Sequence, residues 1–375
     1  MDPKIEKNLR AMRIDGTHYR TIWMDKDPGV VKVIDQRYLP FDFRVLELKN
    51  STDAFHAIAG MAVRGAPLIG ATAAFGLYLA TYRSDPANWC DELDVAAVTL
   101  VSARPTAVNL KHAVQLMMDR VICAGSRESV IKELFHSAMR FTEDEVIRCK
   151  RIGEHGMPLV RELHEKHNRP VNILTHCNAG WLACIDYGTA LAPVYLAHDQ
   201  GIPVHVWVDE TRPRNQGARL TAYELGKHGV PHTVIVDNAG GHLMQRGEVD
   251  LVLVGSDRTT RNGDVANKIG TYLKALAAKD NGIPFYVALP SSSIDFEMDH
   301  GGQIEIENRG PEEVTHVEGL DPETGALLKI QVLPDGSKVA NPGFDVTPAA
   351  MVTGLITESG ICEASEEGIQ SLFEN

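Results

Sequence analysis

VNILTH (Val171–His176), VHVWVDE (Val204–Glu210), HTVIVD (His232–Asp237), LVLVGSD (Leu251–Asp257) and FYVALP (Phe285–Pro290) are five short, near-continuous apolar runs. Helix-like segments separate them: one reaching His198, then Gly217–His228, Asn238–Arg246 and Val265–Ala278. Strands that are apolar on both faces, alternating with helices, predict a parallel sheet covered on both sides. The expected fold class is therefore α/β, with a Rossmann-like parallel-sheet domain over residues 151–375.

Upstream the rhythm differs. YRTIWM, GVVKVID and FRVLELK alternate apolar and polar residues, as strands do, with Asp27-Pro28-Gly29 as a turn. Helical periodicity follows over Ser51–Gly60, with Ser51 or Thr52 as N-cap, and over Pro67–Thr81, Asp91–Val101, Thr106–Ala124 and Ser129 to about Lys166. Residues 1–150 thus predict a smaller N-terminal domain of short strands plus a helical bundle. Thr315–Val339 reads as a hairpin excursion with turns at Asp321–Gly325 and Asp335-Gly336.

The chain has 375 residues, with 37 basic against 50 acidic side chains and a net charge of −13. That balance disfavours a nucleic-acid partner, though not a local basic pocket for a small anion. Six cysteines, Cys90, Cys123, Cys149, Cys177, Cys184 and Cys362, form no C-x-x-C and suit reduced thiols. No apolar run spans a bilayer and the N-terminus has no signal-peptide core. The expectation is a cytoplasmic protein with no membrane partner.

In open α/β sheets ligands lie beyond the carboxyl ends of the strands. Those ends read His176-Cys177-Asn178, Asp209-Glu210, Asp237-Asn238 and Asp257-Arg258. A single Asp there often caps the next helix, but four polar ends together predict a functional rim. Three features suit phosphate: Arg64-Gly65-Ala66-Pro67 at a helix start, Arg104 before Pro105-Thr106, and Asn267-Lys268 in the first turn of a helix expected from Val265. A cation there opposes the helix dipole, so Lys268 points to a ligand. Cys177 ends a strand where a helix start is expected, which would favour a thiolate; the residues alone leave it open as a buried structural thiol. That structural role is expected for the other five cysteines. No dinucleotide, P-loop or nucleophile-elbow motif is present. His164 and His167 lack metal-spaced partners, and Trp181, Trp207 and Tyr187 read as core.

THCNAG (Thr175–Gly180), DETRPRNQGARLTAYEL (Asp209–Leu225) and VGSDRTTRNGDVANKIGTY (Val254–Tyr272) resemble the methylthioribose-1-phosphate isomerase family, as do RGAPLIGATAAFGL (Arg64–Leu77), IDQRYLP (Ile34–Pro40) and NPGFDVTPA (Asn341–Ala349). The family is related to regulatory subunits of the translation-initiation exchange factor and to ribose-1,5-bisphosphate isomerases. The resemblance implies Cys177 as catalytic thiol, Asp257 as catalytic acid, and Arg64, Gly65, Ala66, Arg104, Gln216, Asn267 and Lys268 as substrate contacts. It implies no metal and no cofactor, and a homodimer.

The implied reaction turns an aldose 1-phosphate into a ketose 1-phosphate. Phosphate on the anomeric oxygen blocks spontaneous ring opening, so an acid must protonate the ring oxygen; burial beside an apolar wall would keep Asp257 ready for this. The C2 hydrogen then reaches C1, as a proton through Cys177 or directly as a hydride with Cys177 stabilising the site. Ala239 and Gly240 depart from the Met and Ala of many relatives, and the hairpin is longer than usual. A 5-deoxyribose-1-phosphate or ribose-1,5-bisphosphate isomerase is thus an alternative, the latter needing a further cationic contact. A non-catalytic phospholigand-binding protein is the alternative of a different class. With Arg64 and Arg104 in one half and Cys177 and Asp257 in the other, site closure by the N-terminal half is expected.

Overall fold

A computed structural model describes residues 12–104, 107–121 and 125–373. Pro105, Thr106 and Cys123 lie outside the described residues, as does most of the N-terminal stretch. Strands β1 (Arg13–Ile14) and β2 (Thr17–His18) pair with each other, and β3 (Ile22–Met24), β4 (Val31–Ile34) and β5 (Val45–Leu48) form an antiparallel sheet. Helix α1 (Ser51–Ala59) is capped by Asn50, not by Ser51 or Thr52. Asn50 has the extended backbone a cap requires, and its side chain accepts from the Asp53 N–H at 2.8 Å. Helix α2 (Ala66–Arg83) is buried without a break from Pro67 to Thr81 and is the axis of a helical core completed by α3 (Trp89–Ser102) and α4 (Val108–Val121).

Helix α5 (Arg127–His167) runs for 41 residues, from the Ser126 cap to Asn168 in left-handed conformation. Val130, Leu134, Ala138, Phe141 and Val146 pack in the helical core, whereas Ile152 and Val160 pack beneath the large sheet. The expected divide at residue 150 falls inside this helix. One rigid element therefore belongs to both halves.

The second half continues, in chain order, with β6 (Val171–Thr175), α6 (Ala192–Asp199), β7 (Val204–Asp209), α7 (Ala222–His228), β8 (His232–Ile235), α8 (Ala239–Gln245) and β9 (Leu251–Val254). Then come β10 (Arg258–Thr260), β11 (Val265–Lys268), α9 (Thr271–Asp280), β12 (Phe285–Ala288), β13 (Ile294–Asp295) and α10 (Glu312–Thr315). The hairpin β14 (His316–Leu320) and β15 (Leu327–Gln331) precedes β16 (Phe344–Thr347), β17 (Gly354–Thr357), β18 (Gly360–Cys362) and α11 (Glu366–Phe373). Seven strands form one sheet in the order β18-β17-β12-β9-β6-β7-β8, parallel throughout except for β18. Counting from β6, that is the doubly wound order 3-2-1-4-5-6, with its switch point between β6 and β9. The expected α/β architecture is what forms. Among the described residues no helix is long and apolar enough to cross a membrane.

Three expectations are corrected. No helix begins after Cys177: the chain makes only a short 3-10 turn at Trp181–Ala183, and α6 starts at Ala192. Val265–Lys268 is a strand held between β10 and β16 in a second sheet of order β13-β10-β11-β16. Pairing on both sides overrides a helical pattern, and the helix waits until Gly270 (φ 104) breaks the strand. Cys90 is exposed rather than buried, whereas Cys149 and Cys184 pack together in the interior.

Candidate active site

Cys177 lies two residues beyond β6 and Asp257 three beyond β9, so the two flank the switch point. Cys177 has a left-handed backbone (φ 68) and is buried. Its N–H donates to Thr211 Oγ1 at 2.9 Å, and its carbonyl accepts from Thr221 Oγ1 at 2.8 Å. The next residue, Asn178, donates through Nδ2 to Thr221 Oγ1 at 3.1 Å and to the carboxylate of Glu224. Gly217 lets the clamping segment fold back on its own start, because a Cβ there would stand 1.7 Å from the Asp209 carbonyl oxygen. The loop carrying the thiol is thus clamped by the single segment 209–224.

Across the switch point the Asp257 N–H donates to the Ala266 carbonyl at 3.0 Å, which places Asp257 beside Asn267 and Lys268 on β11. Asn267 Nδ2 donates to Thr271 Oγ1 at 3.0 Å. Lys268 is buried, its ammonium 4.3 Å from the centre of the Phe344 ring, with no carboxylate at ion-pair distance among the described residues. Burial pushes its pKa down, while the fields of Cys177 and Asp257 act the other way. The dipole argument for Lys268 fails because it sits on a strand, yet an unpaired buried cation points to an anionic ligand more strongly. Burial also lowers the Arg104 pKa, opposed by Asp257 and by Glu307, which lies 3.6 Å away. Arg309 adds a third cation to this end, tied to Glu307 at 2.8 Å and Glu313 at 2.7 Å. No sequence signal marked Arg309, which lies outside any regular element.

Arg64 enters from the helical half: Nη2 donates to the Asn178 carbonyl at 2.9 Å and Nη1 to Asn178 Oδ1. Gly65 (φ 90) caps α2, and a Cβ there would stand 2.2 Å from the Ala183 carbonyl oxygen. Only glycine fits. One end of the cleft, about 560 Å³, is lined by Gly65, Ala66, Arg104, Asp257 and Phe344. The middle, about 420 Å³, is lined by Arg64, Gly65, Ala66, Cys177, Asp257 and Asn267. Beyond Arg64 a third part, about 690 Å³, meets Gln36, Met61, Gln216 and Leu220. The amide oxygens of Gln36 and Gln216 are buried without a donor among the described residues. All nine residues singled out from the sequence border this cleft or, in the case of Lys268, share the electrostatic field of Cys177, Asp257 and Arg104.

Beneath the cleft the remaining strand ends make a buried polar cluster. His176 Nδ1 meets Asp209 Oδ2 at 2.8 Å and Nε2 meets the Ile269 carbonyl at 2.8 Å. Together with Asp237 these groups have metal-like spacing. A lysine takes the cation's place: Lys274 Nζ lies 3.1 Å from Asp209 Oδ2 and donates to the Asp237 carbonyl. His176 and Lys274 thus hold Asp209 Oδ2 from within the chain, while Asp209 Oδ1 is buried without a hydrogen-bond partner among the described residues.

Residues 62–364 match the model of the initiation factor 2 subunit family. The methylthioribose-1-phosphate isomerase of Desulfatibacillum aliphaticivorans is 57% identical over 366 residues, covering 96% of this chain and 99% of that one. The chain belongs to the initiation factor 2 subunit family, on its methylthioribose-1-phosphate isomerase branch. That of Rhodospirillum centenum is 55% identical, covering 96% of each. The crystal structure of 5-methylthioribose 1-phosphate isomerase from Pyrococcus horikoshii OT3 superposes with a TM-score of 0.82 at 38% identity, covering 97% of this chain and 99% of that one. A structure titled translation initiation factor eIF-2B, subunit delta, from A. fulgidus superposes at 0.79 with 37% identity, covering 95% of this chain and 100% of that one. The fold is thus shared across the initiation factor 2 subunit family, and the branch identifies the chain as an enzyme, an isomerase acting on a sugar phosphate.

Proposed function

We propose that the chain converts 5-methylthioribose 1-phosphate into 5-methylthioribulose 1-phosphate, with Asp257 as general acid and Cys177 acting at C2. The observation that carries this is the pair itself: a thiol and a carboxyl on opposite sides of one switch point, lining the same cleft, with Arg64, Arg104 and Lys268 around them. Asp257 protonates the ring oxygen, the ring C1–O bond breaks, and C1 is left electron-poor. The C2 hydrogen then arrives at C1 and the C2 hydroxyl loses its proton to become the ketone. Cys177 either carries the hydrogen as a proton or stabilises its direct passage. A C2-deuterated substrate tests this: heavy washout of the label into water excludes direct hydride transfer.

Lys268, buried with no carboxylate at ion-pair distance among the described residues, and Arg104, 3.6 Å from Glu307, support a phosphate ester at that end. Beyond Gln216 three further arginines line the cleft, but each already has a carboxylate: Arg37 with Asp35 at 2.6 Å, Arg214 with Glu313 at 2.8 Å and Arg219 with Glu318 at 2.9 Å. With Met61 and Leu220 beside them, this supports methylthio over a second phosphate at C5. Turnover of three aldose 1-phosphates differing only at C5 (methylthio, hydrogen, phosphate) tests the reading; absence of turnover for all three removes it. A cytoplasmic homodimer completes the proposal, and sedimentation tests its oligomeric part.

A further inference from the structure

We infer that Glu224 is a positioning residue for substrate binding: it holds Asn178, and Asn178 in turn sets the guanidinium of Arg64. This rests on the isomerase reading of the cleft. Glu224 stands on α7 and is fully buried, one residue removed from the cleft wall. One carboxylate oxygen accepts from Asn178 Nδ2, and the other accepts from the Leu182 N–H at 3.2 Å. Thr221 Oγ1 takes a further bond from the same amide nitrogen at 3.1 Å. With both amide hydrogens engaged, the side chain of Asn178 has one orientation, and its oxygen faces Arg64 Nη1. The Asn178 carbonyl holds Nη2 at 2.9 Å. A Cβ on Gly180 would stand 1.9 Å from Glu224 Oε1, so the glycine is what admits the carboxyl to this position.

The charge of Glu224 matters because Arg64 must meet an anion. Burial pushes the carboxyl up to about 8, against the pull of the Leu182 and Trp181 N–H groups, Asn178 and Arg64. The charged or titratable groups facing it are Arg64, from the turn before α2, and Tyr195, from α6, whose own hydroxyl burial pushes well up. Below about pH 8 Glu224 is neutral and Arg64 presents its full charge to the substrate. Above that, a buried negative charge stands behind Arg64 and opposes an anionic ligand.

The test is the KM and kcat for 5-methylthioribose 1-phosphate from pH 7 to pH 9, for the full chain, Glu224→Gln and Asn178→Ala. Glutamine is neutral at every pH, so Glu224→Gln is expected to bind the substrate at pH 9 about threefold or more tightly than the parent, with similar KM at pH 7. A purely structural role cannot give tighter binding. Titration of Lys268 contributes equally to both profiles and cancels in the comparison. Asn178→Ala, which frees Arg64, is expected to raise KM about tenfold at pH 7 with a smaller effect on kcat. Parallel KM profiles for Glu224→Gln and the parent, or an unchanged KM in Asn178→Ala, overturn the inference. Should Glu224→Gln not fold, Glu224→Met, also neutral at every pH, takes its place, and a KM that rises with pH in parallel with the parent's overturns the inference. No turnover by the parent removes the isomerase reading itself, whereas turnover with parallel profiles removes only the role of Glu224.

Discussion

Among the described residues Cys177 and Asp257 are bonded through backbone and not through side chain, so their side chains can be changed without dismantling the site. Cys177→Ala and Asp257→Asn should each lower kcat by about a hundredfold to ten-thousandfold or more while melting within a few degrees of the parent. Activity near the parent level in either variant takes that residue out of the mechanism. Lys268→Ala should mainly raise KM, since among the described residues its ammonium is held by no carboxylate. Gly65→Ala is a stability prediction: the positive φ and the 2.2 Å approach to the Ala183 oxygen should together cost about 3 kcal/mol in urea unfolding. At this scale the sequence was informative where chemistry is unusual for its position, as with an Arg-Gly-Ala at a helix start or a thiol at a strand end. It was silent on Lys274 and Arg309, because a lysine inside a helix and an arginine in a loop look like solvated charges until the fold buries them.

Secondary elements were legible in proportion to how much their own residues decide them. Five of the six parallel strands are near-continuous apolar runs and stand out; the strand Val265–Lys268 does not, because it is made a strand by its neighbours β10 and β16. Helix α5 owes its contact with α6 to small residues: a Cβ on Gly153 would lie 2.7 Å from Leu196, and one on Gly156 2.5 Å from Pro193. Alanine usually gains about 1 kcal/mol over glycine in a helix, yet Gly156→Ala should lose about 1–2 kcal/mol here, because close packing cannot absorb the methyl. Helix α10 is tethered by charge. Glu313, bonded to Arg309 and Arg214, is held down at about 2 from its ordinary 4.5. A depressed carboxyl adds stability that is complete above pH 4.5 and is lost as the pH falls through about 2. The melting-temperature difference between the parent and Glu313→Gln should therefore shrink between pH 5 and pH 2; a constant difference contradicts the tether.

For the whole molecule, the net charge of −13 coexists with a cleft of buried cations, so a small anion is drawn to a protein whose surface repels large ones. The sharing of α5 by both cores predicts one cooperative unfolding transition, with Trp89 in one half and Trp181 in the other reporting the same urea midpoint. Two separated midpoints would show that the halves fold independently. The clamp on the thiol loop has a consequence for inheritance. Residues 175–180 and 209–224 are distant in the chain but form one mechanical unit, in which Thr211, Thr221 and Glu224 grip what Cys177 and Asn178 present. Neither segment can drift alone. A chimera that takes one of them from a diverged relative should lose its activity, and one that takes both should keep it.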